Sequence, residues 1–158
     1  MNRFQLAPWI TLIALAGLAG CQNVSPPEPF PQAAADGWVA AFNSGDAAGL
    51  ALMYSSDAKI LPPDQPIITG SGAIEEFWKT FNPGNVRIEV SEVETLKLGN
   101  NWFREGTYGG LYPAEGQPRV GKFIELWTKV NSAWLIQRQM WSPNAPPLAQ
   151  MPPTVPVE

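Results

Sequence analysis

The 158 residues of this chain are enough for one compact domain with its own core and short flanking tails. Charged residues make up 15% and apolar ones 45%, and the formal net charge of −4 comes with basic residues that never cluster, which excludes a nucleic-acid surface. There is no His and a single Cys, so Ser-His-Asp and Cys-His catalysis and His-ligated zinc are excluded, and neither metal nor cofactor is expected.

Arg3 followed by the apolar run from Ile10 to Leu18 has the layout of a signal peptide, too short to span a bilayer comfortably. Leu18-Ala19-Gly20-Cys21 then resembles the bacterial lipoprotein box, with small residues before the cut and a thiol to take the lipid. The expectation is that residues 1–20 are removed and that Cys21 becomes an acylated first residue held in a membrane. Acyl chains contribute ~0.8 kcal/mol per buried methylene, so several of them anchor a protein essentially permanently. Gln22 after the Cys favours the outer membrane, facing the periplasm, where the cell has two membranes. Loss of Arg3 leaves nine basic residues against 14 acidic ones, a net charge of −5.

Residues 21–32 include Pro26, Pro27, Pro29 and Pro31 and read as an extended tether, rising ~3.1 Å per residue. A domain is expected over residues 33–142. Its first helix puts Trp38, Ala41 and Phe42 on one face and stops at Asn43-Ser44-Gly45, because Gly accepts the left-handed conformation of a helix end. Asp46 caps a second helix at once, with Leu50, Met53 and Tyr54 repeating the apolar spacing. Asp57 to Leu61 reads as a strand ended by Pro62-Pro63, and Ile67-Ile68-Thr69 as a second short one. Ser71 opens a third helix with the stripe Ile74, Phe77, Trp78 and Phe81, and Asn82-Pro83-Gly84 terminates it.

From there the period changes to two. Residues 86–98, 102–112, 120–130 and 134–141 read as four long strands joined by Gly99-Asn100-Asn101, the 113–118 turn and Asn131-Ser132. Residues 143–158 hold six Pro and no periodic pattern, and read as a disordered tail. Three helices followed by an antiparallel meander imply an α+β fold.

The pattern Trp-x-Ala-Ala-Phe-Asn-x-Gly-Asp from Trp38, the Leu50, Tyr54 and Asp57-Ala58 spacing, and Gly70-Ser-Gly-Ala-Ile-x-x-Phe-Trp78 resemble the SnoaL-like and ketosteroid-isomerase-like (nuclear transport factor 2-like) superfamily. The resemblance covers roughly residues 33–142, including Gly121 to Lys129 and the Trp134-Leu-Ile hairpin. It implies a cone in which a curved, mostly antiparallel sheet wraps three helices around an apolar cavity. Homodimers through the open sheet face are common in this superfamily. Function has to come from the site, since the fold hosts isomerases, cyclases, dehydratases and binding modules.

The Asn131-Ser132 hairpin, with a two-residue loop, pairs Val130 with Ala133. Continued without interruption, that register sets Glu125 opposite Arg138, Trp127 opposite Ile136 and Phe123 opposite Met140, all on one face. A loop centred on residue 115 adds Glu105 opposite Glu125. Two carboxylates beside one Arg can hold one acid neutral and one charged, which is acid/base equipment if the row lines the cavity. On the outer face the same row is a cross-strand ion pair of little energetic consequence.

Carried over by resemblance, the oxyanion-donor position of ketosteroid isomerases falls on Trp38 and the general-base position on Pro62, which cannot move a proton. Asp64 lies two residues beyond it, and Glu125 falls close to the position of the second donor. Cyclases of the SnoaL type use an acid on the last strands, where this chain has Gln137, Arg138 and Gln139. The expectation is therefore a lipid-anchored envelope protein that binds a small apolar molecule. Trp38, Met53, Trp78, Phe123, Trp127, Arg138 and Met140 are the candidate ligand contacts. The alternative is an acid/base isomerase or cyclase acting on an apolar carbonyl compound through Glu105 and Glu125.

Overall fold

Helix α1 (Gln32–Ser44) stops at Gly45, whose φ of 75° is left-handed and whose N–H reaches back to Phe42 O at 3.1 Å. Asp46 begins α2 (Ala47–Ala51) by accepting the Gly49 N–H at 2.8 Å, a cap that contributes about 1 kcal/mol. The computed structural model describes residues 28–81, 86–112 and 117–144. Cys21, the segments expected as signal peptide and tether up to residue 27, residues 82–85 and 113–116, where turns are expected, and residues 145–158 of the expected tail lie outside them.

The second helix is shorter than its apolar spacing suggests. Tyr54 is the first residue of β1 (Tyr54–Leu61), not the last of a helix. The chain turns at Leu52-Met53, and Met53 O accepts the N–H of Ile136 at 2.8 Å, so a pairing with the far end of the chain starts the strand early. After β2 (Ile68–Thr69), Gly70 at φ 89° leads into α3 (Ser71–Phe81). Glu75 and Glu76 sit in the second turn of that helix and face Lys79 at 2.7 and 3.9 Å.

Strands β3 (Arg87–Leu98), β4 (Asn101–Tyr112), β5 (Gln117–Val130) and β6 (Ala133–Pro143) form the meander. The six-stranded sheet has the order β2-β1-β6-β5-β4-β3, antiparallel except where β1 lies parallel to β6. Irregularities in register at Ser91/Glu94 in β3, Tyr54/Lys59 in β1 and Leu126/Trp127 along β5–β6 bend the strands. The bent sheet curls around the helices.

Helix α1 is fastened to the sheet by a side chain that imitates a strand. The Asn43 amide donates to Ile88 O at 3.0 Å and accepts the Ile88 N–H at 2.8 Å. The core lies between helices and sheet, with Leu50, Ile60, Ile74, Trp78, Trp127 and Ile136 fully buried. Trp78 is its hub, with the rings of Trp38, Phe42, Phe77, Phe81 and Trp141 all within 4.9 to 5.8 Å of it. Most of the aromatic content is thus packing, and the fold is the α+β class that the helix and strand periods imply, in the cone form that the superfamily resemblance implies.

Candidate ligand-binding site

The Val130–Ala133 pairing holds, and Asn131 and Ser132 take φ values of 47° and 74°, the mirror-image turn that suits the twist of a hairpin. Trp127 lies opposite Ile136 as expected, but the next pair is Leu126 with Arg138. Gln137 is the extra residue of a β-bulge. A shift of one residue exchanges the two faces of everything beyond it. Glu125 therefore faces Gln139, not Arg138, and Phe123 faces Trp141, not Met140.

The β4–β5 register differs by one residue in the same way. Arg104 pairs with Glu125, and Glu105 with Ile124. Glu105 consequently points away from Glu125 and is exposed. The expected row of Glu105, Glu125 and Arg138 does not exist. Arg138 and Met140 line a shallow cleft on the outer face with Leu61 and Phe103, and Glu105 borders another with Glu94 and Lys122.

The inner face instead carries Arg104, Glu125 and Gln139, each no more than 4% exposed. Arg104 Nη1 donates to Glu125 Oε2 at 2.9 Å, Trp127 Nε1 donates to the same oxygen at 2.8 Å, and Gln139 Nε2 donates to Oε1 at 3.1 Å. Tyr54 OH donates to Gln139 Oε1 in a short bond and accepts from Trp38 Nε1 at 3.0 Å. Burial pushes the Tyr54 phenol well above its usual ionisation range, and the nearby Glu125 charge adds to the effect. The phenol is a neutral donor throughout the physiological range. Arg104 also lies over the rings of Phe123 at 4.9 Å and Phe30 at 5.8 Å, a cation held against two aromatic faces.

Above this network lies a half-open hollow with a free volume of ≈50 Å³. Trp38, Phe42, Trp78, Phe123 and Trp141 form much of its wall, with Arg104, Glu125 and Gln139 as its polar part. Ligand pockets usually measure ~300–1,000 Å³, so this one admits a narrow fragment unless its aromatic wall gives way. Among the described residues, two fully buried donors of wall residues, Trp78 Nε1 and Arg104 Nε, make no hydrogen bond of good geometry, although Trp78 approaches the Tyr54 phenol. An unpaired buried donor costs ~1–3 kcal/mol, so the wall is energetically incomplete.

Trp38, Trp78 and Phe123 are thus where the sequence suggests. Trp127 lies beneath, holding Glu125, and Met53 packs in the turn before β1, half-buried beside Gly37. Arg104, Tyr54 and Gln139 are the residues that sequence reasoning missed. One signal was available for Arg104. It shares strand parity with Trp102 and Tyr108, so a buried β4 face required it to point inward, where only a carboxylate on the next strand could balance it. Among the described residues no cluster of His, Cys, Asp and Glu could hold a metal, and no helix is long and apolar enough to cross a membrane.

Comparison with known proteins agrees with this architecture. The SnoaL-like domain family matches residues 35–134. No curated protein matches the chain. Among solved structures, a ketosteroid isomerase-like protein from Erwinia carotovora atroseptica is 22% identical, with a TM-score of 0.60 over 73% of this chain and 94% of its own. A nuclear transport factor 2-like protein of unknown function from Pseudomonas putida KT2440 is 15% identical, with a TM-score of 0.66 over 76% of this chain and 88% of its own. A cystatin-like-fold domain of unknown function from Nostoc punctiforme is 17% identical, with a TM-score of 0.62 over 75% and 77% of the two chains. At these identities the likeness concerns the fold alone.

Proposed function

This chain belongs to the SnoaL-like domain family, and from that premise we propose that it is a lipid-anchored envelope protein whose cone binds a small, narrow apolar molecule bearing at least one acceptor oxygen. The observation that supports this reading is the pairing of an aromatic wall with two buried donors, Trp78 Nε1 and Arg104 Nε, that make no hydrogen bond of good geometry among the described residues. An apolar body matches the wall, and a carbonyl or ether oxygen matches the donors. A neutral acceptor suits the site better than an anion, because the Arg104 charge is already balanced by Glu125. Lipid on Cys21 would keep the site at a membrane where apolar compounds partition.

Acid/base catalysis finds less support. Glu105, the second carboxylate that reading needs, is exposed on the outer face. Both oxygens of Glu125 already accept from protein donors, so a substrate proton would have to displace one of those bonds. A general base also needs an unobstructed approach to the proton it removes.

The test uses two narrow probes, 2-pentanone and pentane, titrated into the protein while the indole N–H resonances are followed by NMR. Both should shift those resonances on binding, and the ketone should bind more tightly. Trp78→Phe should weaken the carbonyl probe about 3- to 10-fold, the worth of one hydrogen bond, and leave the other unchanged. If neither probe binds, and native mass spectra show no co-purifying small molecule, the cone is not a binding site.

A further inference from the structure

The chain enters the domain through a clasp. Glu28 accepts from Lys129 Nζ at 2.8 and 2.9 Å and from Trp134 Nε1 at 3.2 Å. Two residues on, Phe30 sets its ring edge-to-face against Trp102 at 5.9 Å and Trp127 at 6.0 Å. These partners stand together at one end of the sheet, where β3 meets β4 and β5 meets β6. Phe30 closes the cone there, beneath Arg104. The wall residue Tyr108 lies six positions along β4 from Trp102, about 20 Å away at the rise of an extended strand. The wall of the hollow thus runs along β4 from Arg104, which lies over Phe30, to Tyr108, and its far end lies toward the other end of the sheet.

The closed end has the side chains of a bilayer interface. Lys97 Nζ sits over the rings of Trp102 at 4.9 Å and Trp134 at 5.1 Å. Leu96, Leu98 and Val130 beside it are 58%, 45% and 41% exposed. Lys97 and the exposed aliphatic residues together suit the headgroup region, with the Trp102 and Trp134 rings as apolar support for the ammonium, the Trp102 N–H buried and the Trp134 N–H given to Glu28. Covalent length limits the alternatives. Seven residue steps separate Cys21 from Glu28, and at ~3.3–3.6 Å each they span about 25 Å at most.

We propose that this closed end rests on the phospholipid headgroups of the membrane that holds the anchor, with the Glu28–Phe30 clasp fixing the domain so that the hollow opens away from the bilayer. The proposal rests on the reading that Cys21 is acylated. It assigns the clasp a purpose that a freely hinged tether lacks. A clasped domain presents one end to the lipid, whereas a hinged one presents every side in turn.

The acylated full chain, with its Cys21 blocked by lipid, accepts a single added thiol for labelling. One fluorescent label at Asn131→Cys marks the closed end, and one at Glu89→Cys, exposed on β3, marks the other. In vesicles of phosphatidylethanolamine and phosphatidylglycerol carrying a headgroup quencher, the label at position 131 should be quenched and that at 89 should keep its emission. Glu28→Gln combined with Phe30→Ala should make the two labels respond alike. Lys97→Gln, which removes the charge without setting a like charge beside Glu28, should reduce quenching at position 131. Equal quenching in the unmodified clasp, on a chain shown by palmitate labelling to be acylated, overturns the orientation alone. A chain that takes up no palmitate in the cell overturns the anchor and the orientation together.

Discussion

Arg104 and Glu125 face each other across β4 and β5 with Nη1 and Oε2 2.9 Å apart, each side chain at most 4% exposed. Removing one partner strands the other charge in the core. Arg104→Met alone is expected to cost about 3–5 kcal/mol, whereas Arg104→Met with Glu125→Leu should recover most of that loss. Urea unfolding of the two singles and the double completes the cycle. A loss under ~1 kcal/mol for either single variant would mean that the pair behaves as a surface ion pair and that the interior is wet.

Tyr54 gives the protein an alkaline limit. Its folded phenol ionises well above the ordinary value of 10.0, because burial disfavours the phenolate. Below about pH 10 both folded and unfolded chains hold this proton, and the favourable contribution is complete. Above that, the unfolded chain releases it first, so stability falls with a slope of up to about 1.4 kcal/mol per pH unit until the folded phenol ionises. The difference between wild type and Tyr54→Phe in urea unfolding from neutral pH upward isolates this share. Parallel curves would contradict it.

Gly121 lies under the ring of its cross-strand partner Tyr108, and a Cβ there would come within 2.3 Å of Tyr108 Cζ. Gly121→Ala must push a buried ring aside and is expected to cost about 1–3 kcal/mol, with a change in the shape of the hollow. Gly109→Ala is the control, since nothing lies within 4 Å of its added carbon. Thermal melts of the two should differ clearly in Tm.

Ser132 sits at φ 74° in the β5–β6 turn, a conformation that L side chains adopt at a cost. Ser132→Gly should stabilise the fold by about 1 kcal/mol and leave probe binding unchanged, since the turn is remote from the hollow. An unchanged or lower unfolding midpoint would show that the turn is not the strained element it resembles.

How much of this was legible in the sequence depends on the range of the interaction. The first helix with its Gly45 stop, the Asp46 cap, the four long strands and the Asn131-Ser132 turn are local events, each decided by a few neighbouring residues and their backbone preferences. The sequence by itself determined these elements, the absence of His chemistry, and a buried aromatic stripe through Trp38, Trp78 and Trp127. Only the tertiary structure decided which acid lies inside. One extra residue at Gln137, and a one-residue difference across the β4–β5 turn, exchange Arg138 and Glu105 for Gln139 and Arg104. Side chains alternate along a strand, so register is all-or-none for a face, and a bulge is selected by the curvature of the whole sheet rather than by the residues that form it.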